Sequence, residues 1–246
     1  PDYNGATQDG VGYFQRAIHK GRRMSAARAF LHPAANRKNL QVITQAHATR
    51  ILFEERTAVG IEYDQGGTRK QVRARKEVIL SGGVVASAQL LQLSGIGDPD
   101  HLGRIGIEVR HALPGVGRNL RDHYAVRMVA RVENTWTINQ KARGLPLVGE
   151  IAKYFTGQPS ILGLCPSLVH CFWKSHDAVQ GNDLQMTFTP ASYKEGVQSQ
   201  LDDFPGVTCA PWQQRPESSG WLLARSADPF EAPEIQPNYL ADEMDR

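Results

Sequence analysis

The sequence predicts an α+β fold arranged as two bodies. Three observations carry that expectation. Strand-like segments recur between residues 40 and 74 around a glycine turn. A short apolar run at 77–80 leads through two glycines into a helical stripe that ends near Gly95. The second half mixes one helical stretch with isolated strand-like runs. The first body, residues 39–118, is expected to be a β-meander followed by a strand-turn-helix. The second, residues 1–38 with 119–246, is expected to be an antiparallel sheet flanked by helices.

Taken in order, Ser25 precedes the helix formers of 26–31, so it is the predicted N-cap of a short helix that Pro33 should end. The stretches 40–44, 48–53, 58–63 and 69–74 alternate apolar and polar positions, and Asp64-Gln65-Gly66-Gly67 supplies a turn. The 77–80 run fits a strand buried on both faces of a parallel sheet. Ala86, Leu90, Leu91 and Leu93 place an apolar stripe on the next helix. Turn chemistry at 113–117 suggests a boundary near residue 118. Beyond it, 124–132, 168–173, 184–188 and 221–225 read as strands and 147–155 as a helix.

Charge excludes little but directs nothing. Lys and Arg number 28 against 25 acids, and the signs are interspersed, so the basic runs at 20–23 and 69–76 read as solvated faces and no nucleic-acid partner is expected. Cys165, Cys171 and Cys209 match neither a zinc nor a redox spacing, and reduced thiols in a cytoplasmic protein are the simplest reading, with peripheral membrane association compatible. The longest apolar run, near 161–173, is broken by Pro166 and His170, so no membrane span is expected. The chain opens at Pro1 and closes on a polar stretch, which reads as an internal piece of a longer protein. No Gly-x-Ser-x-Gly elbow or His-Glu-x-x-His helix supports a hydrolase.

The most informative segment is 82–97, Gly-Gly-Val-Val-Ala-Ser-Ala-Gln-Leu-Leu-Gln-Leu-Ser-Gly-Ile-Gly. Adjacent glycines before a helix let a ligand or another backbone approach closely, and the first helical turn offers unpaired N–H groups. This segment resembles the second signature of the glucose-methanol-choline flavoprotein family. Supporting stretches are Gly-Val-Gly-Tyr-Phe-Gln-Arg at 10–16, Gly-Arg-Arg-Met-Ser-Ala-Ala-Arg-Ala-Phe-Leu at 21–31 and Leu-Pro-Gly-Val-Gly-Arg-Asn-Leu-Arg-Asp-His at 113–123. Ser-Ala-Asp-Pro at 226–229 and Pro-Glu-Ile-Gln-Pro-Asn-Tyr-Leu at 233–240 look like the same family, in its choline-dehydrogenase-like branch.

The resemblance implies an FAD-dependent enzyme that passes hydride from an alcohol to the flavin N5, with 39–118 as part of the FAD-binding domain and the remainder as an incomplete substrate-binding domain. The family's Gly-x-Gly-x-x-Gly pyrophosphate turn does not occur here, Leu120 standing where Gly115-Val116-Gly117 would need a third glycine. None of the eight histidines matches the family's catalytic base, so no catalytic residue and no metal ligand is assigned and the piece alone should be inactive. What the resemblance carries over is contact with the adenosine end of FAD: Ala48, through its backbone, toward the adenine, and Ser81, Gly82 and Gly83 as the turn near the cofactor. The segment 167–172 lacks the carboxylate that choline-oxidising relatives place there, which implies an uncharged alcohol substrate. His170 is expected to pack and not to bind ligand, and Asn119, Asp122 and His123 to be structural. Ser219 replaces an arginine usual in relatives, which implies a weaker local ion pair beside Glu217. The alternative to an enzyme fragment is a stand-alone binding module of the same descent.

Overall fold

Gly66 and Gly67 take φ of 62° and 80° in the computed structural model, which describes residues 2–165, 167–197 and 200–246. Two successive positive φ angles make the mirror-image turn whose twist suits a two-residue hairpin. The Asp64 side chain accepts from the Gly67 N–H at 2.9 Å and fixes it. The turn joins Thr57–Gln65 to Thr68–Arg73, and His47–Glu54 pairs on the other side, giving a three-stranded antiparallel meander. Pro1 and Pro166 lie outside the described residues.

The chain divides into two compact units, 1–40 with 123–215 and 41–122 with 216–246. The mixture of antiparallel sheets and a few helices is an α+β fold. The boundary differs from the sequence expectation, because 216–246 packs with the meander unit and not with the second half. The cause is long-range pairing. Gly220–Leu223 pairs with Arg118–Leu120 and with Glu234–Gln236, and Gln92 holds it to the Gly83–Leu93 helix. The Gln92 amide donates to the Leu222 carbonyl at 3.0 Å and accepts from the Ala224 N–H at 2.7 Å, at 1% exposure. In effect one side chain supplies the two bonds that a neighbouring strand would make.

Within the meander unit the helix lies on the first strand. The Ser94 hydroxyl donates to the Leu90 carbonyl and accepts from the Ile51 N–H at 2.9 Å. Gly95, with φ of 84°, ends the helix in the left-handed conformation as expected. Asp98 caps the next helix, Pro99–Arg104, by accepting from the Asp100 and His101 N–H groups, and those bonds hold its carboxyl below the usual range.

The other unit is built on a five-stranded antiparallel sheet with the order Gly10–Tyr13, Val169–Trp173, Leu184–Thr189, Gly206–Gln213, Met128–Arg131. Register places His170 opposite both Gly12 and Thr187, and Gln185 opposite both Phe172 and Trp212, so these side chains share one face. Asn139, 1% exposed, locks a crossing loop to this unit: its amide donates to the Ser192 and Asp202 carbonyls and accepts from the Ser192 N–H. Glu150 on the Gly144–Phe155 helix accepts from Lys153 and from the Ile161 N–H, which depresses its carboxyl pKa.

Three local expectations are corrected. The helix after Ser25 passes through Pro33 to Ala34, because the preceding turn over Ala27–Leu31 widens to π spacing, and the missing proline N–H therefore breaks no α-helical bond there. Ser25 does accept from the Arg28 N–H at 3.3 Å. Residues 40–44 and 77–80 form no strand, since neither finds a ladder partner among the described residues; Val42 and Ile79 stand 53% and 75% exposed. A strand pattern without a neighbour cannot satisfy its backbone.

The chain exposes 16771 Å². Two separate compact bodies of half its mass would together expose about 13,000 Å². The excess is apolar in part: Leu145, Val148 and Phe155 on one helix are 87%, 61% and 71% exposed.

Candidate functional site

The glycine turn stands as an open cradle. Gly83 has φ of 79°, a conformation that disfavours any side chain, and a Cβ built there would meet nothing within 4 Å. Gly82 takes the N-cap position without a side-chain bond, and no acidic residue sits in the first turn. The leading N–H groups of an eleven-residue helix thus face an exposed turn made of Ser81, Gly82 and Gly83. Geometry of this kind suits close approach by an electron-rich group, and it fits the edge of a nucleotide cofactor. The pyrophosphate turn that anchors such a cofactor has no counterpart among these residues.

Ala48 stands exposed on the His47–Glu54 strand, opposite Tyr63. No hydrogen bond joins it to the Ser81 to Gly83 turn among the described residues. The two features do share a frame. His47 Nε2 bonds the Pro229 carbonyl at 2.9 Å and stacks on Phe230, while the Gln89 amide donates to the Glu231 carbonyl at 2.8 Å. One loop, 229–231, therefore touches the start of the strand and the middle of the helix.

In the other unit a cavity of about 440 Å³ opens on the sheet face that carries Gln185, Thr187 and Trp212, and is further lined by Phe14, Arg16 and Arg23. The Trp212 indole N–H is buried without an acceptor. Sequence reasoning missed this set because the Gly206–Gln213 strand carries Pro211, a residue that argues against a strand; here it lies beyond the ladder with Met128–Arg131, which covers 206–209. The available signal was the run of side chains bracketing it at alternate positions.

His170 packs, as expected. It is 4% exposed, with ring centroids of Tyr3, Phe14 and Phe172 at 4.7, 5.0 and 5.1 Å, and a Cβ on Gly12 would come within 3.0 Å of its Nε2. Burial pushes its pKa down, as it does for His101. Asp122 and His123 turn to different partners: the Tyr239 hydroxyl donates to Asp122, whereas His123 Nε2 meets the Gln214 carbonyl at 2.9 Å and its ring stacks on Trp212. Asn119 spans a left-handed turn with φ of 58°. Glu217 keeps an ion pair, to Arg121 at 3.2 Å. Among the described residues no His, Cys, Asp or Glu cluster could hold a metal ion, and no helix is long and apolar enough to cross a membrane.

The chain is 39% identical to the oxygen-dependent choline dehydrogenase of Staphylococcus xylosus, across all of this chain and 44% of that protein. It is 38% identical to the alcohol dehydrogenase [acceptor] of Pseudomonas putida, across 99% of this chain and 45% of that protein. The chain thus spans less than half the length of either relative. Its fold matches a formate oxidase crystal structure with a TM-score of 0.85, at 24% identity over 96% of this chain and 46% of the other, a likeness that speaks for the fold alone. Residues 1–125 match the family profile described as GMC oxidoreductase, and with these relatives covering the whole chain, it belongs to the GMC oxidoreductase family.

Proposed function

We propose that this chain is an internal part of an FAD-dependent alcohol dehydrogenase or oxidase, which moves hydride from an alcohol carbon to the flavin. The observation that carries the reading is the open turn of Ser81, Gly82 and Gly83 at an uncapped helix N-terminus, in a chain of this family. In this reading Ser81, Gly82, Gly83 and the backbone of Ala48 would contact FAD when it is bound, and the flavin would supply the hydride acceptor. The unit of 1–40 with 123–215 shapes the substrate side. The substrate is an uncharged alcohol, since 167–172 holds no carboxylate to balance a fixed positive charge.

The chain alone is inactive in this reading. It holds no pyrophosphate turn to anchor FAD and no histidine placed as a base. Its excess exposed surface supports a part over a stand-alone module, because an independent module would bury apolar stripes such as Leu145, Val148 and Phe155. The test is spectroscopic. The polypeptide from the complete reading frame should be yellow, absorb near about 450 nm and bleach anaerobically with alcohol, while the 246-residue chain stays colourless. Stoichiometric flavin on the short chain, or a colourless complete product, would refute the proposal.

A further inference from the structure

We infer that the 226–231 loop is a spacer that sets how tightly FAD is held at its adenosine end, with His47 and Gln89 as positioning residues, an inference that rests on the FAD-dependent reading above. Ala48 and the Ser81 to Gly83 turn would meet the cofactor mainly through backbone groups, and backbone cannot change rotamer to follow a ligand. Their relative placement must come from the frame that holds them.

Ala48 needs such a frame. Its pair with Tyr63 lies between the terminal His47–Asp64 pair of the ladder and a register shift before Arg50, and residues 41–46 form no strand ahead of it. A strand end next to a bulge is where a ladder opens most easily. The glycine turn is no better anchored locally. The cap at Gly82 has no side-chain bond, and among the described residues the tertiary side-chain hydrogen bond nearest the turn is that of Gln89. The bonds of Gln92 and Ser94 fix the opposite end of the helix. At the helical rise that end is about 16 Å from Gly83, so a swing of about 5° there would move the turn by about 1.4 Å.

The loop opposes both motions. It is closed on itself: the Ser226 hydroxyl accepts from the Asp228 N–H at 3.1 Å and donates to the Glu231 carboxylate, and the Asp228 carboxylate accepts from the Phe230 N–H at 3.0 Å. From this braced loop the Pro229 carbonyl accepts from His47 Nε2, and the Glu231 carbonyl accepts from the Gln89 amide. The Phe230 ring stacks on the His47 imidazole at 4.8 Å, with the Arg69 guanidinium 5.8 Å from its centroid. The links run in series from strand to loop to helix, so breaking either one disconnects the bridge.

The test uses the polypeptide from the complete reading frame, stripped of flavin. FAD and riboflavin are titrated back by flavin fluorescence, and ADP by its competition with FAD, with near-ultraviolet circular dichroism to show that each variant is folded. His47→Ala and Gln89→Leu should each weaken FAD and ADP about tenfold, because the frame then holds the binding geometry for a smaller fraction of the time. Riboflavin, which lacks the adenosine, should bind as before. The double variant should lose about tenfold and not about a hundredfold, since the second break removes a link already disconnected. His47→Gln, which keeps an N–H donor, should recover most of the loss. FAD and ADP affinities that neither single variant moves, a hundredfold loss in the double variant, or riboflavin weakened as much as ADP overturns the spacer role while the FAD-dependent reading stands. A complete wild-type polypeptide that takes up no FAD overturns that reading, and the inference with it.

Discussion

Replacing Gln92 by leucine tests how the meander unit is held together. The side chain is 1% exposed and makes two bonds to a segment about 130 residues away, to the Leu222 carbonyl and the Ala224 N–H. Leucine has similar size, so packing is largely kept while both backbone groups lose their partner. Each buried group left unpaired costs about 1–3 kcal/mol, or about 2–6 kcal/mol together. Added apolar burial returns on the order of 1–2 kcal/mol, so a net loss of about 1–4 kcal/mol is expected. Urea unfolding gives the magnitude, and hydrogen-exchange mass spectrometry gives the place. Protection should fall together in 41–122 and 216–246 and persist in 1–40 and 123–215. A loss below about 0.5 kcal/mol, or one confined to the Gly83–Leu93 helix, would refute the claim that this amide docks the C-terminal segment.

Further outcomes follow from the same structure. Gly117 and Gly83 both have φ of 79°, but a Cβ at Gly117 would lie 2.1 Å from the Leu222 carbonyl oxygen while one at Gly83 meets nothing. Gly83→Ala should therefore cost about 1–2 kcal/mol and Gly117→Ala about 2–5 kcal/mol in urea titrations. Asn139→Ala strands the buried Ser192 N–H and the half-buried Asp202 carbonyl, while the Ser192 carbonyl keeps the Asp202 N–H, so thermal unfolding of the sheet unit should show a loss of about 2–4 kcal/mol. His101 and His170 have folded pKa values below their ordinary 6.5, so the unfolded chain binds protons more readily. Their stability contribution is complete above pH 6.5 and is lost as pH falls from there toward the folded values, at up to about 1.4 kcal/mol per pH unit for each. His170→Phe should flatten that slope in pH-dependent melting curves. Glu150, depressed below 4.5, should add a further loss only as pH falls under that value.

Local chemistry was legible wherever a residue's role depends on its neighbours in sequence. The Asp64 to Gly67 hairpin, the glycine turn and helix of 82–95 and the family signature they carry could all be read from spacing, because turns and helices are closed by bonds a few residues long. The strands at 40–44 and 77–80 were misread for the complementary reason: alternation shows that a segment suits a sheet, but only a neighbour makes it one. Tertiary structure decided what pairs across distance. It placed 216–246 with the meander through Gln92, brought Gln185 beside Trp212 through a strand that Pro211 had disguised, and set Arg16 and Arg23 at the same cavity. Those contacts join residues far apart in the chain, and their stability comes from burial and hydrogen-bond satisfaction that no local window contains.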